Sequence, residues 1–382
     1  MLQTGSRRDL RVDFFRGVAL WWIFVDHIPA NWVSQFSLRN FALCDATEIF
    51  VLLAGYAAGT AYVGNYVKHG WLYSGADVTR RVWTLYIAHI FLFVVFSAQV
   101  SYSATALDRS DYLEEIHLDV LAEAPYRAML EALFLSFQPA YLNILPLYVA
   151  LLGMFAVALP LATRPIVLGT VSFALYVAAR SFGWNFPSWN ESGWYFNPLA
   201  WQLLFFIGVI LSRHPPGVPI PKRVVDLAAL IVVFLGFVLV WLVWPSEDVS
   251  ARMPVWLART ILLVDKQSLH PMRLLSILAW VWLVSRTIPF GARWLARWPA
   301  WPFTLCGQHS LPVFCAGIFL SFLGRLVMEQ GDSWLAQLAV NLFGPIALLA
   351  VALLAAWYRD KARTAARADL PAPQRAGNAE VI

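Results

Sequence analysis

The chain has 382 residues, of which 60% are hydrophobic and 13% charged, and a formal net charge of +5. Soluble domains have about 45–50% apolar and about 25% charged residues, so this composition excludes an ordinary soluble domain and is typical of a protein with many membrane spans. The basic residues are spread through the loops between apolar runs rather than gathered in one patch. We therefore expect the lipid bilayer as a partner, and no nucleic acid.

A membrane-spanning helix needs about 20 mostly apolar residues. By this measure the sequence predicts an all-α integral membrane protein, a polytopic bundle of about ten transmembrane helices. The helices are predicted at residues 13–33, 46–64, 82–101, 142–161, 164–181, 198–212, 224–244, 271–289, 303–326 and 335–358. Lysine and arginine concentrate in alternate loops, which places those loops and both termini in the cytoplasm. Residues 1–360 are expected to form a single multi-span domain, and residues 361–382 a disordered cytoplasmic tail.

The first predicted span, RVDFFRGVALWWIFVDHIPANWV, contains Arg16 near its start and His27 near its end. An ionisable group within a span costs about 2.5–3.5 kcal/mol to insert, so such residues usually face a cavity inside the protein. The two residues are eleven positions apart, which is about three helical turns, so they are expected to share one helix face. Alternatively, Arg16 extends to the inner headgroups and His27 lies in the outer interface.

The second predicted span begins with the sequence DATE, in which Asp45 precedes Glu48 by three positions. Both carboxylates are then expected on the same helix face, near the depth of His27, where they are candidates to orient its ring. The alternative interpretation of DATE is a capping box that begins the helix. Gly55 and Gly59 form a small-xxx-small pair, which indicates close packing between helices.

Several stretches of the sequence resemble known membrane proteins. The Arg-x10-His spacing in the first span, EIFVLLAGYAAGTAY (48–62) and TRRVWTLYIAHI (79–90) resemble motifs of the acyltransferase-3 superfamily. Ala54 stands where that superfamily usually has serine, so this chain offers no hydroxyl there. More narrowly, the chain is similar to the OpgC family in the stretches RVDFFRGVALWWIFVDHIP, SLRNFALCDATEIFVLLAGY, QPAYLNILPLYV, WYFNPLAWQLLFFIG and DKQSLHPMRLLSILAW.

The resemblance implies a multi-pass O-acyltransferase of the bacterial inner membrane. Its expected donor is cytoplasmic acyl-coenzyme A, with succinyl as the acyl group, its acceptor is a hydroxyl of a periplasmic glucan, and no metal is expected. His27 is the candidate general base, with Glu48 and Asp45 as its catalytic partners.

Two sets of basic residues are candidates for binding the donor. Arg16 is expected to bind the phosphates, because a guanidinium donates two parallel hydrogen bonds. Arg80 and Arg81 are candidates for the nucleotide end of the donor, or else are plain anchors on the inner side of the membrane. A succinyl group also carries a free carboxylate, which needs a cation beside it. Candidates for that role are Arg39, with Asn40 beside it, and the competing pair Lys266 and Arg273, although Asp265 could neutralise Lys266.

Two other functions stay open at this point. A channel or transporter would use the polar face of the first span to line a path through the membrane. A non-catalytic membrane partner of glucan synthesis would need neither His27 nor Glu48. Transfer or hydrolysis of acyl-coenzyme A by the purified protein would distinguish the enzyme from both. His309, in the ninth predicted span, is expected to be packed or lipid-facing.

Overall fold

The structure is a computed structural model and describes residues 9–214, 221–243, 254–255, 263–331 and 333–368. Every regular element within these ranges is helical, as the sequence predicts. The α-helices are α1 (Leu10–Asp26), α2 (Ala46–Ala58), α3 (Gly64–Ala106), α4 (Asp111–Ile116), α5 (Asp119–Glu123), α6 (Pro125–Leu133), α7 (Ile144–Ala158), α8 (Pro165–Phe182), α9 (Pro198–Arg213), α10 (Lys222–Val238), α11 (Pro271–Thr287), α12 (Trp301–Gln308), α13 (Ser310–Gln330) and α14 (Trp334–Ala368).

Six helices of the described part of the chain are long and apolar enough to cross a membrane. They are Ala46–Ala106, Ile144–Thr163, Pro165–Phe182, Lys222–Trp241, Ser310–Gln330 and Trp334–Ala362, and Pro198–Arg213 is a shorter apolar helix. Spanning helices are therefore supported, whereas the count of ten and the cytoplasmic termini stay predictions. The last helix continues to Ala368, into the region predicted to be a disordered tail, and residues 369–382 of that tail lie outside the described residues.

The stretch Ala46–Ala106 contains 61 residues. As one straight helix it would be about 90 Å long, three times the hydrocarbon thickness of about 30 Å. It breaks at Gly70, which has a φ of +83°, a conformation that glycine adopts without the steric cost that a β-carbon brings. The break separates the second and third predicted spans.

Helix α1 ends at Asp26, seven residues before the predicted end of the first span. The reason is Pro29, which has no backbone N–H and disfavours helical conformation in the residue before it. Short 3-10 turns at Trp32–Phe36 and Leu38–Asn40 follow instead. His27 therefore lies one residue beyond the helix, and its sharing of one face with Arg16 stays a prediction.

The chain divides into two compact units. The terminal unit comprises Met1–Phe24 and Ile288–Ile382, and the central unit comprises Val25–Thr287. Within the terminal unit, a β-carbon added at Gly307 would clash with the carbonyl oxygen of Asp13. Helices α1 and α12 therefore cross with their backbones in contact.

A second close crossing lies within the central unit, between α2 and α9. A β-carbon added at Gly55 would clash with the carbonyl oxygen of Phe205, and one added at Gly208 with that of Leu52. Gly59 faces the backbone of Val209. The prediction that Gly55 and Gly59 serve close helix packing is confirmed.

Replacing Gly55 by alanine should destabilise the protein, because the new methyl group meets the backbone of α9 rather than a flexible side chain. Overpacking of this kind costs about 1–3 kcal/mol. The matched control is Gly153→Ala in α7, where a β-carbon meets nothing within 4 Å and alanine gains up to about 1 kcal/mol of helix propensity. Heating in detergent should give a lower unfolding midpoint for Gly55→Ala and an equal or higher one for Gly153→Ala. Equal midpoints for both variants would contradict the crossing.

Candidate active site

Helix α2 begins with a complete capping box, which confirms the alternative interpretation of DATE. The Oδ1 atom of Asp45 accepts a hydrogen bond from the Thr47 N–H at 2.8 Å. In return the Oε2 atom of Glu48 accepts one from the Asp45 N–H at 2.9 Å. Two N–H groups that the first turn of a helix leaves without a partner are thereby satisfied.

The other oxygens of these carboxylates bind two cations from a distant part of the central unit. Arg273 donates through Nε to Glu48 Oε1 at 2.6 Å and through Nη2 to Asp45 Oδ2 at 3.0 Å. Lys266 Nζ lies 2.6 Å from the same Asp45 oxygen. We call Asp45, Glu48, Lys266 and Arg273 the ion cluster. It brings two carboxyl groups and two basic groups together, and it joins the start of α2 to the start of α11.

Within the ion cluster, Asp45 and Lys266 are held in their charged forms. Burial by itself raises the pKa of the Asp45 carboxyl, but Lys266 and Arg273 outweigh it and hold that pKa well below its usual range. Burial lowers the pKa of the Lys266 ammonium, and the carboxylates of Asp45 and Glu48 outweigh it, so its pKa is raised. The Asp45–Lys266 pair therefore stabilises the fold between the ordinary pKa values of aspartate, about 3.9, and lysine, about 10.4.

The ion cluster bears on the predicted substrate-binding role of Lys266 and Arg273. Lys266 and Arg273 were candidates for the free carboxylate of the acyl group, and the structure places both on carboxylates of the protein itself. Asp265, the predicted alternative partner of Lys266, instead lies 3.2 Å from Arg180. Glu48 is fully buried with both oxygens accepting hydrogen bonds, so its orientation of His27 stays a prediction.

The ring of His27 packs edge-to-face against Tyr141, with the ring centroids 4.7 Å apart and an interplanar angle of 88°. Tyr141 in turn packs against Phe96 of α3 at 6.2 Å. Tyr141 was not among the predicted site residues, although it lies within the family-like stretch QPAYLNILPLYV. Edge-to-face packing of this kind limits the rotation of the imidazole ring.

Arg39 and Asn40 follow the end of α1 in a short 3-10 turn. Arg39 Nε lies 3.3 Å from Asp26 Oδ1. The side-chain amide of Asn40 donates to the Ser34 carbonyl at 2.8 Å, and the backbone carbonyl of Asn40 accepts from Trp241 Nε1. Asn40 therefore stabilises the loop between α1 and α2. The side chain of Arg39 is 47% exposed, against 28% for Lys266 and 11% for Arg273. Of the three cations, Arg39 is therefore the most accessible to a ligand.

Arg16 lies in the terminal unit, where its Nη2 atom donates to Ser310 Oγ at 2.5 Å. Ser310 is the first residue of α13, and the buried His309 separates α12 from α13. Sequence reasoning missed Ser310, because no local pattern links it to Arg16. Arg80 and Arg81 belong to the central unit, on α3, where Arg80 is exposed and Arg81 half-buried.

No group of three or more His, Cys, Asp or Glu residues in the described part of the chain is placed to hold a metal ion. A family model, described as OpgC protein, matches residues 8–360. This match covers nearly the whole chain, including the ion cluster, His27 and Arg16. No curated protein and no solved structure matches the chain.

Proposed function

Because the chain belongs to the OpgC family, we propose that it is an inner-membrane O-acyltransferase that modifies periplasmic glucans. The donor is acyl-coenzyme A from the cytoplasm, with succinyl as the acyl group, and the acceptor is a glucan hydroxyl. The observation that carries the proposal is the family match over residues 8–360. The helices of membrane-spanning length support it, because donor and acceptor lie on opposite sides of the membrane.

His27 is the proposed general base. A neutral imidazole takes the proton of the sugar hydroxyl as its oxygen attacks the thioester carbonyl, so a C–O bond forms and the C–S bond breaks. The coenzyme A thiolate leaves and receives the proton that the imidazolium carries. Tyr141 holds the ring by edge-to-face packing. The ion cluster serves this chemistry indirectly, because it holds the start of α2 against α11.

Arg39 is proposed to bind the free carboxylate of the succinyl group. Its contact with Asp26 is long, at 3.3 Å, and partly exposed. Exposed ion pairs are worth only about 0–1 kcal/mol, so a ligand carboxylate can compete for the guanidinium. Lys266 and Arg273 are less suited to this role, since moving either one would leave buried carboxylates without their cations.

The function is tested by incubating the purified protein with succinyl-coenzyme A and unmodified periplasmic glucan. Release of the coenzyme A thiol and a gain of succinyl mass on the glucan are the expected results. Acetyl-coenzyme A serves as the comparison donor, since it lacks the free carboxylate. A folded protein that neither hydrolyses nor transfers either acyl group would contradict the proposal and favour a transporter, a channel or a non-catalytic partner of glucan synthesis.

Arg16→Ala should weaken the binding of acyl-coenzyme A, because it removes the planar donor proposed to bind the phosphates. Hydrogen bonds to charged groups contribute about 1.5–3 kcal/mol, which corresponds to a rise in Kd of about 10–100-fold. Arg16→Lys should restore only part of the affinity, because an ammonium lacks the bidentate fork. The control is Arg109→Ala, which removes an exposed arginine paired with Asp111. Equal affinity in Arg16→Ala and the parent protein would exclude Arg16 from the phosphate site.

A further inference from the structure

The connection between α3 and α7 folds back along α3. Tyr86 on α3 donates through its hydroxyl to the carbonyl of Leu133 at 3.0 Å. Further along α3, Phe93 packs against Phe137, with the ring centroids 6.1 Å apart. The contact between Phe96 and Tyr141 continues the series. From Tyr86 to Phe96 the connection therefore follows about 15 Å of the helix axis.

Helix α6, within this connection, has three distinct faces. Ala128 and Ala132 are buried against the protein. Arg127 and Glu131 form an i,i+4 ion pair at 2.8 Å on a second face. The third face is apolar and 46% to 80% exposed, and it consists of Tyr126, Met129, Leu130 and Leu133, followed by Phe134. Their spacing of three and four residues is that of a continuous apolar stripe, on a helix too short to cross a membrane.

The apolar face of α6 is continuous with an exposed apolar face of α3. Trp83, Ile87, Phe91 and Val94 are exposed on α3, within a helical stretch that qualifies as membrane-spanning. Tyr86 joins the two faces, since its ring stacks on Trp83 with the centroids 5.5 Å apart and its hydroxyl bonds to the end of α6. Whatever covers the exposed face of α3 therefore also reaches α6.

We infer that α6 is a membrane anchor whose apolar face lies in the lipid bilayer and whose ion pair lies among the headgroups. Lipid is the occupant because the neighbouring face of α3 belongs to a helical stretch long and apolar enough to cross a membrane. An amphipathic helix with aromatic and aliphatic residues on one face and charges beside them suits the boundary between headgroups and acyl chains. Helix α6 is followed in the chain by Tyr141, whose ring contacts that of His27. This inference does not depend on the proposed enzymatic activity.

Spin labels on single cysteines test the anchor in the full chain in liposomes. Cys44, Cys306 and Cys315 are replaced by alanine, and one cysteine is introduced as Leu130→Cys on the apolar face or Arg127→Cys on the charged face. Phe91→Cys on α3 is the lipid reference, and Arg109→Cys in the exposed loop is the water reference. At Leu130 we expect oxygen to reach the label several-fold better than a water-soluble nickel complex does, as at Phe91. At Arg127 the nickel complex should reach the label.

Two results would overturn the anchor. Access of the nickel complex at Leu130 equal to that at Arg109 would place the helix in water. A label at Leu130 that neither reagent reaches would mean that protein, such as a second copy of the chain, covers the face. If the cysteine-free background does not fold, Leu130 is replaced by benzoylphenylalanine in a chain that keeps its three cysteines. Irradiation should then give lipid adducts, and adducts to protein alone would overturn the proposal.

Discussion

His27→Ala should abolish acyl transfer while the protein still inserts, folds and binds the donor. Assistance by a general base is worth about 10²–10⁴-fold in rate, so the loss is expected in kcat and not in the affinity for acyl-coenzyme A. The initial rate of coenzyme A thiol release at saturating donor measures kcat. Equilibrium binding of acyl-coenzyme A measures the affinity for the donor. The separation of these two quantities distinguishes a base from a residue that binds the donor.

The matched control for His27→Ala is His69→Ala, which removes an exposed histidine whose ring packs at a tilt against Tyr73. It should leave kcat unchanged, because His69 has no proposed role in the chemistry and surface substitutions usually change stability by no more than about 0.5 kcal/mol. Tyr141→Leu should give a smaller defect than His27→Ala, because it loosens the ring without removing the base. A folded His27→Ala protein that acylates glucan at the parental rate would end the catalytic interpretation of His27.

Arg273→Met should strongly destabilise the protein. The change leaves the fully buried Glu48 without the cation that lies 2.6 Å from it. Removing one partner of a buried ion pair costs about 3–5 kcal/mol, because the remaining charge stays buried without compensation. Reversible unfolding in mixed micelles, followed by circular dichroism, measures the loss of unfolding free energy.

The same substitution elsewhere on α11 provides the control. Arg286 also pairs with a carboxylate, that of Asp226, but its side chain and that of its partner are 44% and 30% exposed. Arg286→Met should therefore cost no more than about 1 kcal/mol. Adding Glu48→Gln to Arg273→Met should recover part of the lost stability, because the double variant no longer buries an unpaired charge. Equal losses in Arg273→Met and Arg286→Met would show that the ion cluster does not stabilise the fold.

Features that depend on residues close together in the chain could be predicted from the sequence. The all-helical class follows from the length and frequency of apolar runs, and the capping box at Asp45 and Glu48 follows from their spacing of three. The close crossing at Gly55 follows from small residues four positions apart. The early end of α1 was also encoded locally, by Pro29, but the apolar run on both sides of that proline favoured a longer helix.

Partners from distant parts of the chain were decided by the tertiary structure alone. Arg273 lies 225 positions from Glu48, and Ser310 lies 294 positions from Arg16. A local pattern shows that a carboxylate begins a helix, but not which of many basic residues will neutralise it. That choice depends on how the helices pack, because an ion pair forms only between groups that packing brings within about 4 Å. For the same reason the sequence alone suggests Lys266 and Arg273 as cations for a substrate carboxylate. In the folded protein both pair with carboxylates of the protein itself, and Arg39 is the more exposed cation.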